Sequence, residues 1–252
     1  FSANEVAMAI PASVAGRTFV YNPSTAGYEV SDRPLLASNK VRFVLYAVDP
    51  VTWAPAEPLN ETGYVELTDL SGGSTQAAKV EVVSGGTTYI NYTVSATNGT
   101  TSGRVTVLGF VTDGVTQANI NLRTTITYTA GLTLVYSLDL PQRDVSIDLS
   151  VNIDDVSQQD PPITIHVVMV GPNGRVNMDG QFTSTSGTLN IRVNGDAFAT
   201  ITTDGTTTTI TRTDGSALAD DEYTALEGVF EMQNGAFAAF DQMLAPIGGM
   251  FE

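Results

Sequence analysis

The chain has 252 residues, 42% of them hydrophobic, which suffices for one large β domain or two ordinary ones. Twenty-seven acids against 11 bases give a formal net charge of −16, which speaks against nucleic acid and anionic lipid surfaces as partners. There is no cysteine, so thiol catalysis, disulfides and cysteine-held metal or iron–sulfur sites are excluded.

Charged residues are only 15% of the chain, and Lys40 and Lys79 are its only lysines. Ser, Thr, Asn and Gln take their place, the surface chemistry of secreted β proteins. The sequence opens on Phe1, so a removed signal peptide, or a lipid-bearing cysteine just upstream, is expected. The expected location is therefore extracytoplasmic: periplasmic, cell-surface or secreted. No apolar run approaches the roughly 20 residues that span a bilayer as a helix.

Residues 1–40 are broken by Pro11, Pro23, Pro34, Gly16 and Gly27, leaving room for short strands at 18–21 and 28–30. A strong apolar strand is expected at 41–48, closed by Asp49-Pro50 and a proline-bearing loop to Asn60. Strands at 64–70, 77–83, 89–95 and 104–112 follow, separated by Gly-rich and Asn-Gly turns. This rhythm predicts an immunoglobulin- or fibronectin-like β-sandwich over 1–114.

Asp113-Gly114 marks the expected boundary, and the alternation is cleaner beyond it. At 144–153 it is unbroken. Val145, Ile147, Leu149, Val151 and Ile153 point one way, and Asp144, Ser146, Asp148, Ser150 and Asn152 the other. Further strands are expected at 117–129, 132–140, 163–170, 176–178, 181–183, 188–193, 197–203 and 207–212. The Asn-Gly and Asp-Gly dipeptides between them supply the positive φ that tight hairpins need. Residues 115–252 are thus expected to form an antiparallel β-meander or barrel-like sheet. From about 219 to 244 the period changes. Tyr223, Leu226, Phe230, Phe237, Phe240 and Leu244 make an amphipathic helix stripe, expected to pack on the sheet.

Candidate chemistry is sparse. His166 is the only histidine, so it is the only base for a Ser-His-Asp arrangement, and no nucleophile-elbow sequence accompanies it. It reads as a sheet-surface residue. Asp144, Asp148, Asp154, Asp155 and Asp160 form the densest acidic group. Asp144 and Asp148 stand about 13 Å apart along one strand, too far to share an ion. The 154–160 loop lacks the glycine and terminal glutamate of an EF-hand and reads as a solvated loop, with a calcium-binding loop as the alternative. Trp53 is the only tryptophan, with Tyr46 and Tyr64 near it in sequence. It reads as a packing anchor, with a sugar platform as the alternative. Gly72-Gly73 and Gly85-Gly86 lack the Lys-Ser/Thr of a phosphate loop. Asn60, Asn91 and Asn98 open triplets of the N-glycosylation pattern, common by chance in a Thr-rich chain.

These readings lead to a non-enzymatic extracytoplasmic binding or scaffold protein. It would use no cofactor and no metal, and would dock on a protein partner within a larger envelope or membrane-associated complex. One alternative is a carrier whose apolar sheet face, including Leu132, Leu134, Tyr136, Val145, Ile147, Leu149 and Val151, lines a cavity for an apolar ligand. The other is a carbohydrate-binding or carbohydrate-active protein.

Overall fold

A computed structural model describes residues 10–128, 130–155 and 157–231. The described fold is mainly β. Fifteen strands form one sheet: β1 (Arg17–Asn22), β2 (Gly27–Val30), β3 (Lys40–Tyr46), β4 (Glu61–Asp69), β5 (Thr75–Ser84), β6 (Thr87–Asn98), β7 (Ser102–Thr112), β8 (Gln117–Thr127), β9 (Gly131–Leu140), β10 (Val145–Asp154), β11 (Ile163–Gly171), β12 (Gly174–Phe182), β13 (Gly187–Val193), β14 (Asp196–Thr203) and β15 (Thr208–Arg212). A helix, α1, covers 220–231. The later part of the expected 219–244 stripe, with Phe237, Phe240 and Leu244, lies outside the described residues.

From β3 to β15 every strand pairs antiparallel with the next in sequence, so the sheet is an open meander. β1 is the exception. It lies parallel beside β3, and β2 folds back on it to make the outer edge. Phe19 of β1 stacks on Phe43 of β3, and the Tyr28 hydroxyl of β2 donates to the Val44 carbonyl at 2.8 Å, which fastens this edge. The expected two-sheet sandwich over 1–114 does not appear. β1 to β7 lie in the same sheet as β8 to β15, and β7 and β8 pair through eleven residues from Ser102↔Thr127 to Thr112↔Gln117.

The alternation in sequence becomes one dry and one wet face. Across the register Val94, Val107, Leu122, Tyr136, Leu149, Val167, Met178, Ile191 and Ala199 follow one another from β6 to β14, and all are buried. They belong to one contiguous apolar cluster, which Leu226 of α1 joins. Val145, Ile147, Leu149, Val151 and Ile153 take the dry side of β10 as expected, with Ile147 and Leu149 fully buried. Asp144 belongs to the preceding turn instead, at φ +52°. Open sheets of more than about ten strands curl, and a continuous apolar face gives this one a side to curl toward.

The dry face rejects one expected break. Residues 176–178 and 181–182 belong to a single strand, because Gly180 continues the ladder opposite Leu189 and Ile165, and Thr183 lies just beyond its end. A Cβ at Gly180 would sit 2.7 Å from Leu189 Cδ1 and from Phe182 Cε2, so neighbours already fill the place of its missing side chain. At the far edge Glu222, in the first turn of α1, accepts the Ala219 backbone N–H at 2.9 Å, half of a capping box. The same carboxylate receives Arg212 of β15 at 2.6 and 3.0 Å, which ties the helix to the edge strand.

Candidate functional site

The loop between β3 and β4, residues 47–60, stands at the end of the sheet shared with the β7–β8 turn. Its tip is apolar and outside the core: Val51 is 84% exposed and Trp53 82% exposed. The packing role expected of Trp53 is therefore not what it does. Tyr64, one of the two tyrosines near it in sequence, has a partner of its own. The Arg42 guanidinium sits 4.2 Å above the Tyr64 ring and covers it.

The loop is built to hold this tip out. One Asp49 carboxylate oxygen accepts the backbone N–H groups of Val51 at 2.8 Å and Thr52 at 2.9 Å, and the Thr52 hydroxyl at 3.2 Å. The Trp53 N–H donates to the Asp49 carbonyl at 2.9 Å, and the Asp49 N–H to the Ala54 carbonyl at 2.9 Å. Below, the Ala56 N–H reaches the Ala47 carbonyl and the Ala47 N–H the Asn60 carbonyl, both at 2.8 Å. The backbone hydrogen bonds from Thr52 and Val51 favour the ionised form of Asp49 and hold its pKa below the ordinary aspartate value. Trp53 itself has φ +58°, the left-handed region that costs a bulky side chain about 1–2 kcal/mol. A large aromatic held strained and in water, by a loop that spends its polar groups on itself, makes this loop a candidate site.

The same device recurs at the β7–β8 turn. Asp113 accepts the N–H groups of Val115 at 2.8 Å and Thr116 at 2.7 Å, and Val115 is 83% exposed. Both turns read Asp-x-Val-Thr, Asp49 to Thr52 and Asp113 to Thr116, so this signal was available in the sequence. At the opposite end of the sheet Asp204 clamps Thr206 and Thr207 in the same way, at 3.0 and 2.8 Å. Those bonds push its pKa down to about 2.

The wet face brings together residues that are distant in sequence. His166 on β11 stands opposite Ser150 on β10 and Asp179 on β12, and Asp179 opposite Asn190 on β13. His166 Nδ1 meets Asp179 Oδ1 at 2.5 Å. The order Ser–His–Asp is that of a hydrolytic triad, with the carboxylate on the correct ring nitrogen. The setting is not. The row lies on an exposed sheet surface, and the three strands' backbone N–H groups are engaged in ladders on both sides, so no backbone N–H is free there to act as an oxyanion donor.

The acidic loop spends its oxygens locally. Asp155 accepts from the Ser157 backbone and hydroxyl and from Gln158, and Asp160 accepts the Ser184 N–H at 2.7 Å. Among the described residues no three His, Asp or Glu side chains converge as metal ligands. None of the described helices is long and apolar enough to cross a membrane. Of the seven residues expected to line a carrier cavity, Tyr136, Ile147 and Leu149, with Leu134 and Val151 against them, are part of the packed cluster, and Leu132 and Val145 are not. Compared with known proteins, the chain matches no family model, no curated sequence and no solved structure.

Proposed function

We propose that the chain is a non-enzymatic, extracytoplasmic binding module that docks on a protein partner through the β3–β4 loop. The observation that carries this is Trp53. It is exposed, strained and fixed in place, and tryptophan is among the residues that most often dominate a protein interface when it enters a partner's pocket. Val51 beside it and Val115 on the β7–β8 turn add apolar contact on the same end of the sheet. A rigid loop of this kind loses little entropy on docking, which favours affinity. The net charge of −16 disfavours an anionic lipid surface as the occupant.

The test is photo-crosslinking in the cells that make the protein. A photoreactive residue in place of Thr52 is expected to give one discrete adduct with another polypeptide. The adduct is expected to disappear when Trp53→Ala is added. An adduct pattern that ignores Trp53→Ala, or no adduct above the monomer, would overturn the proposal.

A further inference from the structure

The wet face of β7 to β9 is polar except at Val135 on β9 and at one larger apolar place on β7. Phe110 stands opposite Asn119 and Asn119 opposite Asp139, while Leu108 stands opposite Asn121 and Asn121 opposite Ser137. Strands about 4.8 Å apart and positions about 6.7 Å apart along each strand make this a grid of roughly 10 by 7 Å. The six side chains line a shallow hollow of about 300 Å³, at the small end of the range for ligand sites. Leu108 is 58% exposed. On the other side of β7 the neighbours are Thr93 and Asn91, so Leu108 and Phe110 form an apolar island flanked by polar groups.

The polar groups are oriented before any ligand arrives. Gln117 Nε2 donates to Asn119 Oδ1 at 2.6 Å, and Asn119 Nδ2 donates to Asp139 Oδ2 at 3.2 Å. Asp139, Asn121 and Ser137 all line the hollow. No cation lines it, and Asp139 repels anions, which disfavours a phosphate or carboxylate ligand. The β7–β9 backbone is paired on both sides, so an extended peptide finds no main-chain partners. A neutral ring with one C–H-rich face and a rim of hydroxyls fits both halves. Its carbon face rests on Leu108 and Phe110. Its hydroxyls donate to Asp139 and accept from the Asn121 amide.

We propose that this hollow binds one sugar ring of a neutral glycan. The site is separate from the Trp53 loop and does not depend on it. The test is an array of neutral oligosaccharides probed with the full chain, then calorimetric titration of the best-retained oligosaccharide. It is run on wild type, Asn121→Ala, Leu108→Asp and Trp53→Ala. Asn121 and Leu108 are exposed, and circular dichroism checks that each variant folds. The expected result is that Asn121→Ala and Leu108→Asp each weaken binding by about tenfold or more, the scale of one lost hydrogen bond or apolar contact. Trp53→Ala is expected to bind as wild type. No glycan retained by wild type, or affinity untouched by Asn121→Ala and Leu108→Asp, overturns the proposal. So does binding lost only in Trp53→Ala, which would move sugar recognition to the loop.

Discussion

A single backbone angle bears on what Trp53 does for stability. At φ +58° and 82% exposed, its side chain contributes strain and almost no packing. Trp53→Gly removes the strain and restores backbone freedom to the unfolded chain. The two effects oppose, and the expected net change is between zero and about 1 kcal/mol of stabilisation. Urea denaturation measures it. A loss of more than about 1 kcal/mol would mean that the ring packs in solution. A second residue-scale prediction concerns Glu66, only 5% exposed on β4. Burial is the largest single influence and would raise its pKa. The hydrogen bonds and charges of Lys40 at 2.6 Å and Arg42 at 2.5 Å together outweigh it and hold the pKa below the ordinary glutamate value. A depressed folded-state pKa contributes stability that is present above the unfolded value, about 4.3, and is lost as pH falls through the folded one. Glu66→Gln is therefore expected to be less stable at neutral pH and to show a flatter acid limb in denaturation series from pH 7 downward. Parallel acid limbs would show that the pair does not couple to folding.

Elements were legible where periodicity and turn chemistry agree, and less so where pairing decides. Leu226 illustrates the first. Its place in the 3.6-residue stripe marked it for burial, and in α1 it joins the sheet's apolar cluster. Leu226→Ala is expected to cost about 2–4 kcal/mol by calorimetry or urea titration. A cost under about 1 kcal/mol would mean that α1 is not docked in solution. Gly109 illustrates the second. It stands on the dry side of β7, opposite Tyr92 and Ile120, and an added Cβ would lie 2.1 Å from the Asn91 carbonyl oxygen and 2.4 Å from Tyr92 Cα. Gly109→Ala is expected to destabilise by about 3 kcal/mol, with the hollow above it disturbed. No local pattern announces that closeness, because it depends on which strand lies alongside. Alternation assigned the faces of β10 residue by residue, since side-chain direction is local. It could not tell a sandwich from one sheet, nor place Ser150, His166 and Asp179 in one row. Those outcomes follow from register between strands. The Asp-x-Val-Thr turns were legible in the sequence, but their meaning was not. The residues show the clamp, and only the fold shows that the clamp aims a valine or a tryptophan into water.

The whole molecule is an unusual way to build stability from near neighbours. Strand after strand pairs with the next, so hydrogen bonding is local in sequence and folding needs few distant encounters. Such a chain could melt in pieces, as repeat arrays do. The dry face argues otherwise. One cluster runs from Tyr92 on β6 through Val107 and Ile120 to Ala199 on β14, straight across residue 114, and the β7–β8 ladder is as long as its neighbours. Separating the chain at 114/115 would unpair eleven residues on each side and open the cluster between Val107 and Leu122. The expected outcome is a single calorimetric transition for the full chain, with van't Hoff and calorimetric enthalpies in agreement. Hydrogen exchange should be slowest in β8 to β11 and fastest at the two edges, β2 and β15, where only one neighbour holds each strand. Two resolved transitions, with the 1–114 fragment folding alone, would instead divide the sheet at the β7–β8 turn. The apolar cluster would then be two cores that touch.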